Sequence, residues 1–395
     1  MTDPKKEQSQ STPNPEETQP SRIPTGGKVL YTAPKGGQEY ARPLTLDQIY
    51  RLCRVTILHW SFGLILIPTF KTFFGMSLSF HNPLFIVLLL QTIGCGLLEL
   101  FLWAFAETPL KKPINWSEEV IVITGGSHGL GLLLAQSFAI KRATVAILDI
   151  KEPPSKDMGF YYYECDVGNS KAVAEALREL KEDIGVPTVL INNAGIIRPS
   201  LIANSNVVDI EKTIRVNLLG SIWTTKMILP WMLKEDRGFI VNISSVLGVS
   251  CPAQACAYNA SKAGLNAFHE TLHQEISSCH KTKNIKTLLV SPGMLPTGMF
   301  DGVKHKFPRI FCNAQPLEVV QKIMYHIEYR VSGELETPLY TSFAPLARFF
   351  PLCVRHFVYD YIGANDALSS WKGHDGSTSS VAFDTKDANP TVAFS

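Results

Sequence analysis

The chain has 395 residues, 45% of them hydrophobic, and sets 37 Lys and Arg against 35 Asp and Glu for a formal net charge of +2. That length can bury a full core, and the near-neutral balance without any Lys/Arg block argues against nucleic acid as a partner. Eight cysteines with no CxxC pair and no ligand-like spacing point to no metal site and to a reduced, cytosol-facing protein.

Residues 1–43, rich in Pro, Gln, Ser, Thr, Lys and Glu, cannot bury enough apolar surface to offset their chain entropy and contain no apolar stretch of the signal-peptide kind. We expect a disordered arm there. Within 44–112 lie two apolar runs, VTILHWSFGLILIPTF (55–70) and LFIVLLLQTIGCGLLELFLWAFA (84–106). As helices they reach about 24 Å and roughly 34 Å, against a hydrocarbon core of about 30 Å. The second is long enough to span a bilayer, and the first falls short. Arg51 and Arg54 precede the first run and Lys111 and Lys112 follow the second, which puts both outer ends on the cytosolic side. The expectation is a membrane-anchoring helical hairpin, in the endoplasmic reticulum bilayer or on a lipid droplet, with the remainder facing the cytosol. Two buried helices of a soluble domain are the alternative. Glu99, inside the second run, must pair or stay protonated. His59 lies at a matching depth in an antiparallel hairpin, and a protonated Glu99 facing the interface is the other reading.

From Trp116 the texture changes to six short β-branched runs, EEVIVITGG, ATVAILDI, YYYECDV, PTVLINNAG, GFIVNISS and KTLLVSPG. Helical periods separate them. This alternation predicts a parallel sheet covered on both faces, a doubly wound α/β domain over 113–343. Beyond it, 344–372 mixes aromatic and aliphatic residues with Arg348 and Arg355, an amphipathic segment that lies on a membrane surface, caps a substrate cavity or simply packs as a helix. Residues 373–395 read as a polar tail.

The first strand runs directly into GGSHGLG (125–131). Gly125, Gly129 and Gly131 stand where the turn must be tight, where backbone must approach a pyrophosphate and where the helix must pack on its strand; Ser127, His128 and Leu130 line the same turn. The helix start offers free N–H groups and a positive dipole end to that phosphate. Asp149, closing the second strand, is placed to accept from an adenosine ribose and to repel a 2′-phosphate. With no arginine in the turn, NAD is favoured over NADP, although Lys151 works against that preference. Asp166, followed by Val167 after the third strand, meets the adenine edge or serves as a turn acid.

Tyr258 and Lys262 in YNASK share a helix face. The ammonium should favour the phenolate and move a phenol from its ordinary pKa of roughly 10 toward a useful acid/base range. Lys262 can also bind the nicotinamide ribose. Ser245, closing VNISS, would hold the reacting oxygen beside Tyr258.

With these residues, the stretch from 119 to about 300 resembles the short-chain dehydrogenase/reductase family. TGGSHGLG (124–131) fits its glycine turn, NNAG (192–195) with Asn193, Ala194 and Gly195 its motif after the fourth strand, and Asn217 in IRVNLLG its helix asparagine. Ser245, Tyr258 and Lys262 fall at the family's spacing, and SPGMLPT (291–297) supplies Pro292, Gly293 and Thr297. The resemblance implies a Rossmann fold, a water held by Asn217 in a proton relay to Lys262, contact of Thr297 with the nicotinamide carboxamide, and a homodimer paired through the helices carrying Asn217 and Tyr258. The apolar anchor, Asp149 in LDI and GANDALSSWKG (363–373) are similar to the membrane-bound group that contains retinol dehydrogenases and 17-beta-hydroxysteroid dehydrogenases.

The activity expected is hydride transfer between NAD(H) and an alcohol or carbonyl of a lipophilic substrate such as a steroid, retinoid or long-chain lipid, reached from a membrane or droplet surface. The stretch 298–311 and the aromatic segment beyond 343 would form the way in. NIS at Asn242 and NAS at Asn259 would be glycan acceptors in a lumenal domain, which favours the cytosolic face. An NADPH-dependent lipid-biosynthetic ketoreductase and a non-catalytic Rossmann scaffold on a droplet are the rival readings.

Overall fold

Strands whose side chains are apolar on both sides need cover on both faces of their sheet, and the central strands here have it. The computed structural model describes residues 83–105, 109–110, 112–154 and 159–373. The arm over 1–43, the first apolar run with His59, the side chain of Glu99 and the tail from 374 lie outside those residues, and with them the Glu99–His59 pairing. Helix α1 (Pro83–Phe105) has 23 residues and coincides with the second apolar run to within one residue at each end. Among the described residues no helix is long and apolar enough to cross a membrane. Several side chains of α1 (84, 85, 88, 98, 99 and 102–105) lie outside the described residues.

Seven strands form one parallel sheet in the order β3-β2-β1-β4-β5-β6-β7: β1 (Val120–Thr124), β2 (Thr144–Asp149), β3 (Tyr161–Glu164), β4 (Val189–Asn192), β5 (Gly238–Ile243), β6 (Ile285–Pro292) and β7 (Gly333–Thr337). Six match the expected runs. The seventh, GELET, was not foreseen, because glutamates flank its one large apolar residue and it pairs on one edge only, with β6. Alternation along each strand sorts the core into two layers. Ile121, Ile123, Val145, Ile147, Val189 and Ile191 face α2 (Gly129–Ile140), while Val122, Leu148 and Leu190 face the layer that includes α3 (Ser170–Ile184).

Helix α3 begins where Asn169 Oδ1 accepts from the N–H groups of Lys171 and Ala172, and ends at Gly185, whose φ of 95° lies in the left-handed region, where glycine carries no Cβ penalty. Asn206 caps α4 (Val207–Ile214) in the same manner. α4 passes through a π-helical turn, Arg215–Leu219, into α5 (Gly220–Glu235) without leaving helical dihedrals. Wide turns of this kind recur at functional sites, and Asn217 lies at the centre of this one. α6 (Cys256–Gln274) runs alongside, and α7 (Pro316–Glu328) leads into β7.

A buried carboxylate joins distant parts of this frame. Glu119, just before β1, accepts from Arg237 Nη2 at 2.8 Å and from Arg330 Nη2 at 2.8 Å, and from the Thr188 hydroxyl. Burial alone would raise its pKa, but Arg330, Thr188 and Arg237 together hold it below the usual carboxylate range.

Candidate active site

In a doubly wound sheet, ligands sit beyond the carboxyl ends of the strands where the winding reverses, here between β1 and β4. The side chains at that point are built into a tight frame. Thr124 Oγ1 accepts from the N–H groups of Asn193 and Ala194, both at 3.0 Å, and Asn193 Nδ2 donates to the carbonyl of Gly125 at 2.9 Å. Gly125 has a φ of 64°, and a Cβ on Gly131 would stand 2.2 Å from the Gly125 carbonyl oxygen, so both glycines are required. His128 gives α2 no side-chain cap and no acid sits in its first turn, which leaves N–H groups and the positive dipole end for an anion. Thr297 lies against Gly129, 3.2 Å from where a Cβ would be.

Asp149 Oδ2 accepts from Ser127 N at 3.0 Å and Oδ1 from Lys151 N at 3.1 Å. A carboxylate has about four acceptor positions, so about two remain for ribose hydroxyls. Asp166 is exposed and its Oδ1 accepts from Gly168 N at 2.8 Å, so it closes the turn after β3, while Val167 is buried against Gly220. Pro292 ends β6, and Gly293 donates to the Thr337 carbonyl at 2.9 Å with the Tyr340 hydroxyl filling its side-chain space. The glycine turn, the uncapped helix start and Asp149 fit the pyrophosphate and ribose of a dinucleotide.

Tyr258 and Lys262 lie one turn apart on α6, each only 4% exposed. Lys262 Nζ donates to the Ile243 carbonyl at 2.7 Å and stands 5.8 Å from the centre of the Tyr258 ring. Ser245 is hydrogen-bonded to the Tyr258 hydroxyl, and its Oγ accepts from Leu247 N at 3.1 Å. The expected lowering of the phenol by its ammonium neighbour is not what the geometry produces. Burial pushes Tyr258 up to about 12, against the opposing bond to Ser245, and burial pulls Lys262 down to about 8. Desolvation penalises both charged forms, and the ammonium is directed at a carbonyl.

Asn217 is fully buried, and its side chain is committed to protein partners. Oδ1 accepts from Ile196 N at 2.8 Å, and Nδ2 donates to Ile196 O at 2.9 Å and to Ser261 Oγ at 3.0 Å. Its neighbour Gly195 leaves a gap: a Cβ there would sit 3.6 Å from Asn217 Oδ1 and 3.7 Å from Lys262 Nζ. The motif glycine therefore separates the asparagine from the lysine by a space without a side chain.

Sequence reasoning set 298–311 and the segment beyond 343 at the substrate cavity but did not identify the residues that wall Tyr258. Leu368, Ile197 and Ala255 pack on the tyrosine, edged by Leu247, Met299, Phe300 and Trp371. The Phe300 ring meets Tyr258 edge-on at 6.1 Å. Three bonds tie 363–373 to the loop after Thr297: Trp371 Nε1 to Met299 O at 2.9 Å, Ser370 Oγ to Gly302 O at 2.8 Å, and Lys372 N to Asp301 O at 2.9 Å. The two stretches expected to form the way in thus meet each other. Leu368 lies in GANDALSSWKG and in the segment 344–372, for which capping a substrate cavity was one reading, but its position over the tyrosine depends on the tertiary fold. Asn242 and Asn259 are buried, so neither sequon is accessible in the folded domain.

The profile described as short chain dehydrogenase matches residues 119–307. Human epidermal retinol dehydrogenase 2 is 30% identical over 286 residues, covering 70% of this chain and 91% of its own. Human estradiol 17-beta-dehydrogenase 11 is 32% identical over 252 residues, covering 61% of this chain and 81% of its own. In fold alone, a crystal structure of a short-chain dehydrogenase from Streptomyces avermitilis superposes with a TM-score of 0.53 at 19% identity, covering 64% of this chain and 99% of that one. A chain that follows its relatives along most of their length, and that builds their parallel sheet around this cleft, belongs to the short-chain dehydrogenase family of NAD(P)-dependent oxidoreductases.

Proposed function

We propose that the protein interconverts an alcohol and a carbonyl on a lipophilic substrate, with Tyr258 as the acid/base, Ser245 holding the reacting oxygen and Lys262 orienting the nucleotide. The observation that carries this reading is Tyr258 itself: its hydroxyl bonds Ser245 while its ring is walled by Leu368 and Phe300. A polar partner at the hydroxyl and apolar cover on the ring suit a lipophilic carbonyl compound. The bound nicotinamide supplies or accepts the hydride. Ser245 donates to the substrate oxygen, Tyr258 gives or takes its proton, and Lys262 binds ribose hydroxyls within reach of the gap beside Gly195. Asp149 supports NAD over NADP through its two unfilled acceptor positions and its charge.

Exposed Val87, Leu90, Ile93, Leu97, Leu100 and Phe101 on α1 support membrane attachment, at the endoplasmic reticulum or a lipid droplet, with the sheet domain on the cytosolic side. The names of the retinol and estradiol dehydrogenases to which the chain is similar support a retinoid or steroid as the substrate class. The test is the purified full chain with a panel of hydrophobic alcohols and ketones and both nucleotides, followed by absorbance of the reduced nicotinamide. Turnover should fall by about 10²–10⁴ in Tyr258→Phe. Undiminished turnover in that variant would remove the acid/base assignment, and a strong preference for NADPH would remove the one made to Asp149.

A further inference from the structure

A charged cavity lies between the C-terminal segment and the loop after Ser245. The turn Ala344–Phe349, the helix α9 (Leu352–Tyr361) and the loop after Ser245 enclose about 310 Å³ lined by Val249, Cys251, Arg348, Leu352, Arg355 and Tyr359. (The short α8, Leu339–Phe343, precedes the turn.) Arg348 makes only long bonds to backbone, at 3.4 Å to the Val249 carbonyl and 3.5 Å to that of Gly248. Arg355 Nε is buried with no acceptor. The carboxylate on the same helix, Asp360, is engaged by His356 at 3.3 Å and by Asn365 Nδ2 at 2.6 Å. Two guanidinium groups therefore share one cavity with no carboxylate paired to either among the described residues.

A buried N–H without an acceptor is unfavourable and like charges repel, so an anion seated between the arginines would relieve both. The guanidinium fork matches phosphate in particular. The rim identifies the source of that phosphate. Leu352, which lines the cavity, and Phe349, next to Arg348 in the chain, are 72% and 85% exposed, large apolar side chains that a freely soluble anion would not engage. Basic groups beside exposed aromatic and aliphatic side chains suit the boundary between headgroups and acyl chains. We propose that Arg348 and Arg355 bind the phosphate of an anionic membrane lipid while Phe349 and Leu352 enter the adjoining acyl layer.

This inference rests on the reading of the enzyme as acting on a lipophilic substrate, and it gives that reading a geometry. The Tyr359 hydroxyl accepts from Ser250 Oγ at 3.1 Å and from Cys251 N at 3.3 Å, and Asn365 Oδ1 accepts from Ala253 N at 3.1 Å. The lipid-binding segment is thereby fastened to the loop between Ser245 and Tyr258, so docking would set the mouth of the substrate pocket on the lipid surface.

The test is hydrogen–deuterium exchange of the full chain on vesicles of phosphatidylcholine alone and of phosphatidylcholine mixed with phosphatidic acid. Peptides covering 344–361 should exchange several-fold more slowly on the anionic vesicles. Arg348→Gln with Arg355→Gln should abolish that slowing while peptides of β1 to β6 exchange as before. Phe349→Ser with Leu352→Ser, which keeps both arginines at the surface, should abolish it too. Equal exchange on the two vesicles overturns the proposal, as does slowing that survives the glutamine pair. Inorganic phosphate with neutral vesicles giving the same protection would overturn the lipid assignment in favour of a soluble anion. Flotation on neutral vesicles reports α1 anchoring and Tyr258→Phe turnover reports the chemistry, so failure of either is read separately from the exchange result.

Discussion

Lys262 is a cation stored where cations are disfavoured, and its effect on stability has a definite sign. Its folded pKa is lowered from 10.5 to about 8 by burial, so between those values the unfolded chain binds more protons and stability rises with pH. Tyr258 acts in the opposite sense, with a folded pKa raised from 10.0 to about 12, so its contribution falls away only as the pH climbs past 10. From pH 8 to 9 the lysine should tilt the profile upward, and above 9 it is opposed by Cys165, whose thiol is pushed up by burial from 9.0 to about 12. Thermal unfolding without nucleotide should show wild-type stability rising from pH 8 to 9, and Lys262→Met should flatten the rise. The full span, from below 8 to above 10.5, corresponds to roughly 3 kcal/mol at about 1.4 kcal/mol per pKa unit. Gly195 gives a second prediction at this scale. Its missing Cβ would make ordinary contacts with Asn217 Oδ1 and Lys262 Nζ, so Gly195→Ala should fold with an unchanged melting temperature while turnover drops at least tenfold. Equal turnover in the two proteins would show that the gap is not used.

Most elements were legible because their periodicity is local. VIVIT and TVAILD are buried on both sides and β-branched, so they could only be central parallel strands. The glycine turn was legible for the same reason, since strand, glycines and helix follow one another in the chain. β7 was hidden because Glu334 and Glu336 flank Leu335, and its pairing with β6 is written nowhere in GELET. The π turn was hidden as well: IRVNLLG shows Asn217 but not the widened turn that carries it. Asn217 illustrates what an element-scale contact does. It fastens α4–α5 to the exit of β4 and to α6 by three hydrogen bonds. Removing it leaves the half-buried Ile196 N–H and carbonyl without these partners, and each such group costs up to about 1–3 kcal/mol. Asn217→Ala should therefore lose about 2–4 kcal/mol in denaturant titration as well as most of its turnover. A variant that lost turnover at full stability would confine the residue to chemistry.

At the scale of the whole molecule, contacts far apart in sequence close the frame that the local elements begin. Leu368 and Trp371 cross to Tyr258 and to Met299, and Arg330 crosses from the end of α7 to the residue before β1. In the sequence Glu119 was only the acid before a strand, because neither arginine that engages it is near it in the chain. Its carboxylate is held by Arg330, which is 11% exposed, and by Arg237, which is 40% exposed. The inner pair should carry most of the effect, since the outer one is screened by solvent. Removing one partner of a buried ion pair strands the other charge. Glu119→Gln should thus destabilise the sheet domain by about 3 kcal/mol at neutral pH, and Arg330→Met should do more harm than Arg237→Met. Acid provides the sign check. A carboxylate whose folded pKa lies below its ordinary value of 4.5 contributes stability fully above that value and loses it as pH falls through the lower, folded one. Wild-type stability should accordingly decline on acidification below pH 4.5, and Glu119→Gln should decline less steeply over the same range. Parallel acid profiles for the two proteins would mean that the clamp organises the frame without stabilising it.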